Sequence, residues 1–453
     1  MSARKLHLDR AARGGDGADL LIRGARLLDP RSGLKDETAD VLIRGGEIAE
    51  IGADLEAPDG AETLDADGLH AFPAFTDPHV HLRTPGREDE EDIDSGTRAA
   101  AAGGYCQILA MPNTDPVVDS ASIIQSLRER AREEARVPTG FTASVTRGQR
   151  GEQLTEMAEL MDVGAAGFTD DGLPVRDAGV LRQALQYQRL AGGLIALHEE
   201  DPALSAKGVM HEGPVSALLG LAGYPAIAES TMIQRDCAIA AFETARIHLQ
   251  HLSARESVVA VEQAKQACVQ VTCEVSPHHL CLTDDAVRSL DASRFKMNPP
   301  LRSDGDRQAL IEALRSGTID CIATDHAPHA REEKEQPFEV APMGVTGLET
   351  AFAAIHTHLV LPGVLPLELI VERMTSGCEP FGLTVPKIAP GARADIVLVD
   401  LDAEWEVGEA GYESRSANNA FAGQRLTGRV RMTVADGIVA YRERSFAIGA
   451  VAG

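Results

Sequence analysis

No stretch of 18 or more apolar residues occurs in the 453-residue chain, so nothing in it reads as a transmembrane helix. Positive charge is scarce. Against 69 Asp and Glu stand 43 Lys and Arg, a formal net charge of −26. A chain this acidic lacks the basic footprint that nucleic acid or an anionic membrane surface requires. Met1–Asp16 is charged and has no apolar centre, so it does not read as a signal peptide, and a cytoplasmic location is expected. Paired cysteines are missing too. The seven cysteines are odd in number and scattered, with no CxxC, and most sit in apolar stretches such as GYCQILAM and DCIATD. Reduced, buried thiols are expected rather than a disulfide framework or a thiolate metal site. Metal chemistry, if present, must come from histidine and carboxylates. Low-complexity tracts and repeats of roughly 20–50 residues are absent as well.

What is present is ordinary globular material, 44% apolar and 25% charged. Residues 1–17 are polar and Gly-rich and are expected to be a disordered tail. Residues 18–72 change to short alternating runs with Gly turns (DLLIRGARLLD, ADVLIRGGEIAEIG), the texture of strands. Residues 379–453 have the same texture (ADIVLVDLDAEWEV, GRVRMTVADGIVAYRER). Two β-rich ends around an αβ-rich middle predict one small β-sandwich domain formed by the N- and C-terminal segments. Residues 73–378 alternate strand-like stretches with Ala/Glu/Arg-rich helical ones such as SIIQSLRERAREEA and LRQALQYQRLA. The strand candidates are FTDPHVHLR, YCQILAMPN, GFTASVT, GAAGFTDD, LIALHEE, RIHLQHLS, CVQVTCEVS and DCIATDHAP. Eight such units predict an α/β fold, a (β/α)8 TIM-like barrel.

The chemistry-bearing residues fall in one place. His79 and His81, Asn113, Asp170 and Asp171, His198, His251 and Asp325 each end a strand candidate. In a (β/α)8 barrel those ends converge on the face where active sites are built. The i, i+2 spacing of His79 and His81 on a strand aims both imidazoles to one side, where they can share an ion. His198 and His251 each follow an apolar run and would alone read as core histidines. With the HxH pair and Asp325 they read as further ligands. His248, three residues before His251, lies on the opposite strand face and is expected to be a satisfied structural histidine. Asp325 reads as a ligand that also moves a proton, rather than as a helix cap. A two-metal site needs a bridging anion, in many hydrolases a carboxylated lysine. No lysine occurs between Lys35 and Lys207, so the fourth strand offers Asp171 instead, with Asp170 as the alternative. Imidazole and carboxylate without thiolate suit Zn2+, with Mn2+ or Co2+ as substitutes.

FTDPHVHLRTPGRE, AMPNTDPVVDS, GFTDDG, EVSPHHLCLT, KMNPPLR, ATDHAPH and MGVTGLET together resemble the class I bacterial dihydroorotases of the amidohydrolase superfamily. GARADIVLVD and GRVRMTVADG resemble that superfamily's second β segment. The likeness spans about residues 19–445. It implies a metal-dependent barrel that hydrolyses dihydroorotate reversibly to N-carbamoyl-aspartate in pyrimidine synthesis. By motif position, His79, His81 and Asp325 match the ligands of one zinc ion and His198 and His251 those of a second. Asp171 and a hydroxide would bridge the two. Arg83, Asn113, Asn298, His329 and the Met343–Gly344 backbone match substrate-contacting positions. The chain departs from the pattern at Thr84, Glu199 and Met343, none of them a ligand.

The implied substrate carries a carboxylate. Arg83, two residues after His81 on the same side of the strand, has the planar fork that binds one. Asn113 and His329 could complete that anion pocket. A local cationic pocket is required because the net charge repels anions at long range. The rival readings are another cyclic amidase (dihydropyrimidinase, hydantoinase or allantoinase) and a non-catalytic partner of aspartate carbamoyltransferase. The first group generally uses the lysine this chain lacks; the second has lost ligands that this chain keeps. A homo-oligomer is expected, and an association with aspartate carbamoyltransferase stays open.

Overall fold

The computed structural model describes residues 7–12, 17–290, 292–444 and 446. Both ends of the chain build one mixed eight-stranded sheet. From one edge it runs Ile438–Arg442, Arg425–Ala435, Ile396–Glu406, His70–Pro73, Leu20–Asp29, Leu34–Arg44 and Glu47–Gly52, with Glu62–Asp65 also paired to Leu20–Asp29. The seam between the termini is the antiparallel pairing of Pro73 with Ile396 and of Ala71 with Leu398. Alternation along these strands gathers Ile22, Leu27, Val41, Ile43, Leu64, Ile396, Leu398, Met432 and Val434 into one apolar cluster.

The middle of the chain forms two larger parallel sheets, besides a two-stranded one of Met210–His211 and Gly223–Tyr224. Phe75–Val80, Tyr105–Ala110 and Thr139–Phe141 make one; Ile195–Leu197, Arg246–Leu249, Gln270–Val275 and Cys321–Ile322 make the other. Single parallel bridges connect them. Ala143 pairs with Phe168, Phe168 with Ile195, and Val80 with His326. The pairings therefore run round in a circuit through all eight strand-like stretches. Phe75–Val80 is buried at every position, as strands covered on both faces are.

The intervening helices follow from apolar spacing and caps. Ala121–Glu134 buries Ile124, Leu127 and Ala131 and leaves its arginines and glutamates outward. Ala178–Ala191 starts where Asp177 accepts the N–H groups of Gly179 and Val180. Asp304–Ser316 starts at the Ser303 side chain and stops at Gly317 in the left-handed region (φ 85°). Phe75, Ile108, Phe168, Ile195, Ile247, Val275 and Ile322 join the inner faces of these helices in the largest apolar cluster.

The tail expected to be disordered is corrected in part. Asp9 and Thr139 exchange both backbone hydrogen bonds at 3.0 Å, and the Ala11 N–H donates to the Ala135 carbonyl. The Asp9 carboxylate also takes ion pairs from Arg128 (2.6 Å) and Arg132 (2.9 Å). Those two arginines, on one helix, supply the partners that composition did not show. Residues 1–6 and 13–16 of that tail lie outside the described residues. The cysteines are free, and Cys106, Cys237, Cys273, Cys321 and Cys378 are buried. Among the described residues no helix is long and apolar enough to cross a membrane.

Candidate metal centre

His79 and His81 leave the end of the first parallel strand on the same side, with ring centroids 5.5 Å apart. His79 Nε2 lies 3.3 Å from Asp171 Oδ1 and 3.4 Å from Asp325 Oδ1. His81 Nε2 lies 3.4 Å from Asp171 Oδ2 and 3.2 Å from Asp325 Oδ1. On the other flank His198 Nδ1 and His251 Nε2 approach to 2.9 Å, and both face Asp171 Oδ1, at 3.9 and 3.8 Å. Two of the four groups whose ligand atoms lie within 4.8 Å of one another, among the described residues, fall here: His79, His81 and Asp171, and Asp171, His198 and His251. Asp171 belongs to both. Its neighbour Asp170 is spent elsewhere, accepting from the backbone N–H (3.0 Å) and hydroxyl of Thr146.

This donor set fits divalent cations. His79 Nε2 is buried with no hydrogen-bond partner, yet sits between two carboxylates, as a metal-binding lone pair would. Burial opposes charge on Asp171 and Asp325. The facing imidazoles outweigh it, and both carboxyls lie below the usual carboxylate range.

The backbone is strained where it delivers these groups. His251 (φ 31°), Asp325 (φ 48°) and Arg83 (φ 56°) all occupy the left-handed region, at a cost of order 1–3 kcal/mol each. The buried carboxylate of Asp77 ties two of the strand ends together. It accepts from the His79 N–H (3.0 Å) and from the Thr324 hydroxyl (2.5 Å), one residue before Asp325.

The expected substrate residues come to the same place. A cavity of about 310 Å3 is lined by Arg83, Asn113, Asn298, His329, Met343 and Gly344 together with His81, Asp171, His198, His251 and Asp325. That volume suits a small ligand. Asn113 Oδ1 is 2.9 Å from His81 Nδ1, and Asn298 Nδ2 donates to Glu200 (2.9 Å), which in turn faces His198 Nε2 at 3.2 Å. Arg83 Nε donates to the Pro328 carbonyl (3.0 Å) and pairs with Glu90 (3.2 Å).

Three carboxylates escape sequence reading. Glu90 lies in the acidic run REDEED, which reads as a solvated face, yet it is fully buried and faces Arg83, Arg87 and His329. Glu200 braces His198. Glu274 is the most telling, because a glutamate one residue from the end of an apolar strand was a visible anomaly. Its Oε1 accepts from His79 Nδ1 (2.6 Å) and its Oε2 from His248 Nε2 (2.9 Å). His248, expected on the opposite strand face as a satisfied structural histidine, braces the carboxylate that orients His79. With Nδ1–H committed to Glu274, His79 presents Nε2 as a lone pair. Glu274→Gln would leave one acceptor oxygen for two imidazoles and remove the negative charge that braces them. We expect roughly 10- to 100-fold weaker metal binding in chelator competition, with the thermal midpoint little changed. Undiminished metal affinity would contradict the orienting role.

Residues 70–257 match the family described as dihydro-orotase-like. The dihydroorotase of Pelotomaculum thermopropionicum is 45% identical over 94% of this chain and 99% of its own length. That of Geobacter metallireducens is 43% identical over 94% of this chain and 100% of its own. Among solved structures, the dihydropyrimidinase from Brevibacillus agri superposes with TM-score 0.80 at 26% identity, covering 94% of this chain and 95% of that one. The L-hydantoinase from Arthrobacter aurescens gives 0.82 at 26% identity, over 94% of this chain and 96% of that one. Identity above 40% along almost the whole length, over a site whose expected residues converge, decides between these neighbours: the chain belongs to the dihydroorotase family.

Proposed function

We propose that the chain catalyses the reversible hydrolysis of dihydroorotate to N-carbamoyl-aspartate, a step of pyrimidine biosynthesis. The observation that carries this reading is a single cavity holding both the His/Asp cluster and the guanidinium of Arg83. In this reading His79, His81 and Asp325 hold one zinc ion, His198 and His251 hold a second, and Asp171 lies between them. Bound divalent cations would supply an activated water and a polarised ring carbonyl.

The chain's own groups do the rest. Asp325 reaches both histidines of the first group through Oδ1 and is placed to take a proton from the attacking water and pass it to the departing amide nitrogen. Ring closure needs the same carboxyl protonated. Hydrolysis releases a proton, so rising pH favours N-carbamoyl-aspartate and falling pH favours the ring. Arg83, Asn113, Asn298, His329 and the Met343–Gly344 backbone orient the ring and its carboxylate.

The finer architecture belongs to the same reading: a (β/α)8 barrel over residues 73–378 and a β-sandwich from 18–72 and 379–453. The circuit of parallel pairings supports the first, and the one mixed sheet built by both termini supports a joint β domain. We also propose a cytoplasmic homo-oligomer. A hydantoinase reading is favoured by the solved neighbours. Against it stand Asp171 where those enzymes generally carry a modified lysine, and an arginine in the pocket that an uncharged ring would not need. One experiment separates them: turnover of dihydroorotate, dihydrouracil, hydantoin and allantoin by protein of measured metal content. Dihydroorotate should be strongly preferred and zinc present. Preference for an uncharged ring, or turnover with zinc near zero per chain, would overturn the proposal.

A further inference from the structure

Lys334 closes the short helix Arg331–Lys334, beyond His329, and only 6% of it is exposed. An ammonium so deep is costly unless every N–H has a partner. Its Nζ donates to three backbone carbonyls: Lys296 at 3.1 Å, Pro342 at 3.0 Å and Gly344 at 2.9 Å. Burial, with Lys296 nearby, pushes the Lys334 ammonium down to about 7.

The three carbonyls belong to two segments that meet at the cavity. Lys296 stands two residues before Asn298, while Pro342 and Gly344 flank Met343. The Gly344 N–H also donates to the Lys296 carbonyl (3.0 Å). From the other side His329 Nε2 donates to the Met343 carbonyl (2.8 Å), and Asn418 Nδ2 to that of Gly344 (3.2 Å). Gly344 has φ 136°, and a Cβ there would come within 2.8 Å of both Ala327 Cβ and His329 Nε2. The backbone at 342–344 is thus pressed flat against the cavity wall. Lys334 itself does not line that cavity. An interior lysine thus spends all three donors on two segments that reach the pocket.

We propose that Lys334 is a positioning residue for substrate binding, whose ammonium ties the Asn298 segment to the Met343–Gly344 backbone and so fixes the wall against which the substrate ring rests. The inference depends on reading this cavity as the dihydroorotate pocket. It assigns Lys334 to binding rather than to the proton transfer or the metals.

The test is Lys334→Met, which keeps the apolar stem and removes the donors, with Lys334→Gln as a second variant that returns two of them. Holoenzyme is assayed for kcat, KM for dihydroorotate and metal content, and for amide hydrogen exchange over residues 340–346. The Met variant should raise KM by roughly tenfold or more, with kcat and metal content within about twofold of wild type. The Gly344 amide should exchange faster, and the Gln variant should fall between. A folded, metal-replete Met variant with unchanged KM would overturn the proposal, as would KM, kcat and metal content all deteriorating together. If the Met variant does not fold, an unchanged KM in the Gln variant overturns it equally. Should the wild type not turn over dihydroorotate, the proposed function fails by itself. Hydrogen exchange then decides on Lys334, and unaltered exchange at 340–346 refutes the tie.

Discussion

Asp325→Asn should lower kcat by roughly 10²- to 10⁴-fold in both directions of the reaction, with the fold intact. The expectation follows from where the carboxylate sits. Oδ1 faces His79 Nε2 at 3.4 Å and His81 Nε2 at 3.2 Å, so one oxygen belongs to the ligand cluster. The other is the oxygen left to meet a proton on the water or the amide nitrogen. Asparagine keeps a carbonyl oxygen for the cluster but cannot carry a transferable proton. Forward and reverse rates must fall together, because microscopic reversibility makes the base of hydrolysis the acid of ring closure. Asp325 also holds a left-handed backbone (φ 48°), which asparagine tolerates better than most residues, so structural damage should be small. Metal content measured alongside distinguishes two failures. Loss of turnover with metals retained supports the shuttle, whereas loss of metal would assign the effect to ligation. An Asn variant working at near-normal rate would end the shuttle role.

Much of this site was legible in the sequence, for a physical reason. A parallel strand advertises itself as an apolar run, and polar residues at the C-terminal end of the run mark the face where a barrel builds its site. His79, His81, His198, His251 and Asp325 were all found in that way, and the structure brings the histidines together around Asp171, with Asp325 3.4 Å from His79 and 3.2 Å from His81. The choice between Asp170 and Asp171 was not legible. Adjacent strand residues point to opposite sides, and only the position of Thr146 shows which side is already satisfied. Glu90 and Lys334 were hidden by their setting. Both stand in charged runs that composition assigns to solvent, and both are buried because partners from distant segments meet them: Arg83 and His329 for Glu90, three carbonyls for Lys334. The sequence order of strands could not reveal the single eight-stranded sheet either, since its seam joins Pro73 to Ile396 across more than three hundred residues. The Asp9 clamp on Thr139 was lost similarly, in a Gly-rich tail with no periodicity of its own.

Arg83→Met should cut kcat/KM for dihydroorotate by roughly 30-fold to several thousand-fold, the equivalent of about 2–5 kcal/mol for truncating one partner of a desolvated charge pair. The geometry shows which part of the guanidinium is available. Nε is committed to the Pro328 carbonyl and to Glu90, and Nη2 passes 3.4 Å from His329 Nε2. Arg83 lines the cavity with its Nε already engaged, so its outer nitrogens are the donors left for a ligand, and the carboxylate that holds it is itself fully buried. Removing the arginine does two things. It deletes the charge-assisted hydrogen bonds to the substrate carboxylate, and it leaves Glu90 with less neutralisation near an incoming anion. Both effects act on a charged substrate. Dihydrouracil, the same ring without the carboxylate, should be nearly indifferent, and metal content should hold because Arg83 is not among the clustered ligands. The measurement is kcat/KM for both compounds in both proteins, with metal analysis and a melting curve. Equal losses for the two substrates would mean that Arg83 only supports the local fold through Glu90. Good turnover of dihydrouracil by the wild type would point away from a pocket built to read a carboxylate. A selective loss on dihydroorotate is the outcome expected of a −26 chain that must attract an anion through one guanidinium held in place by a buried glutamate.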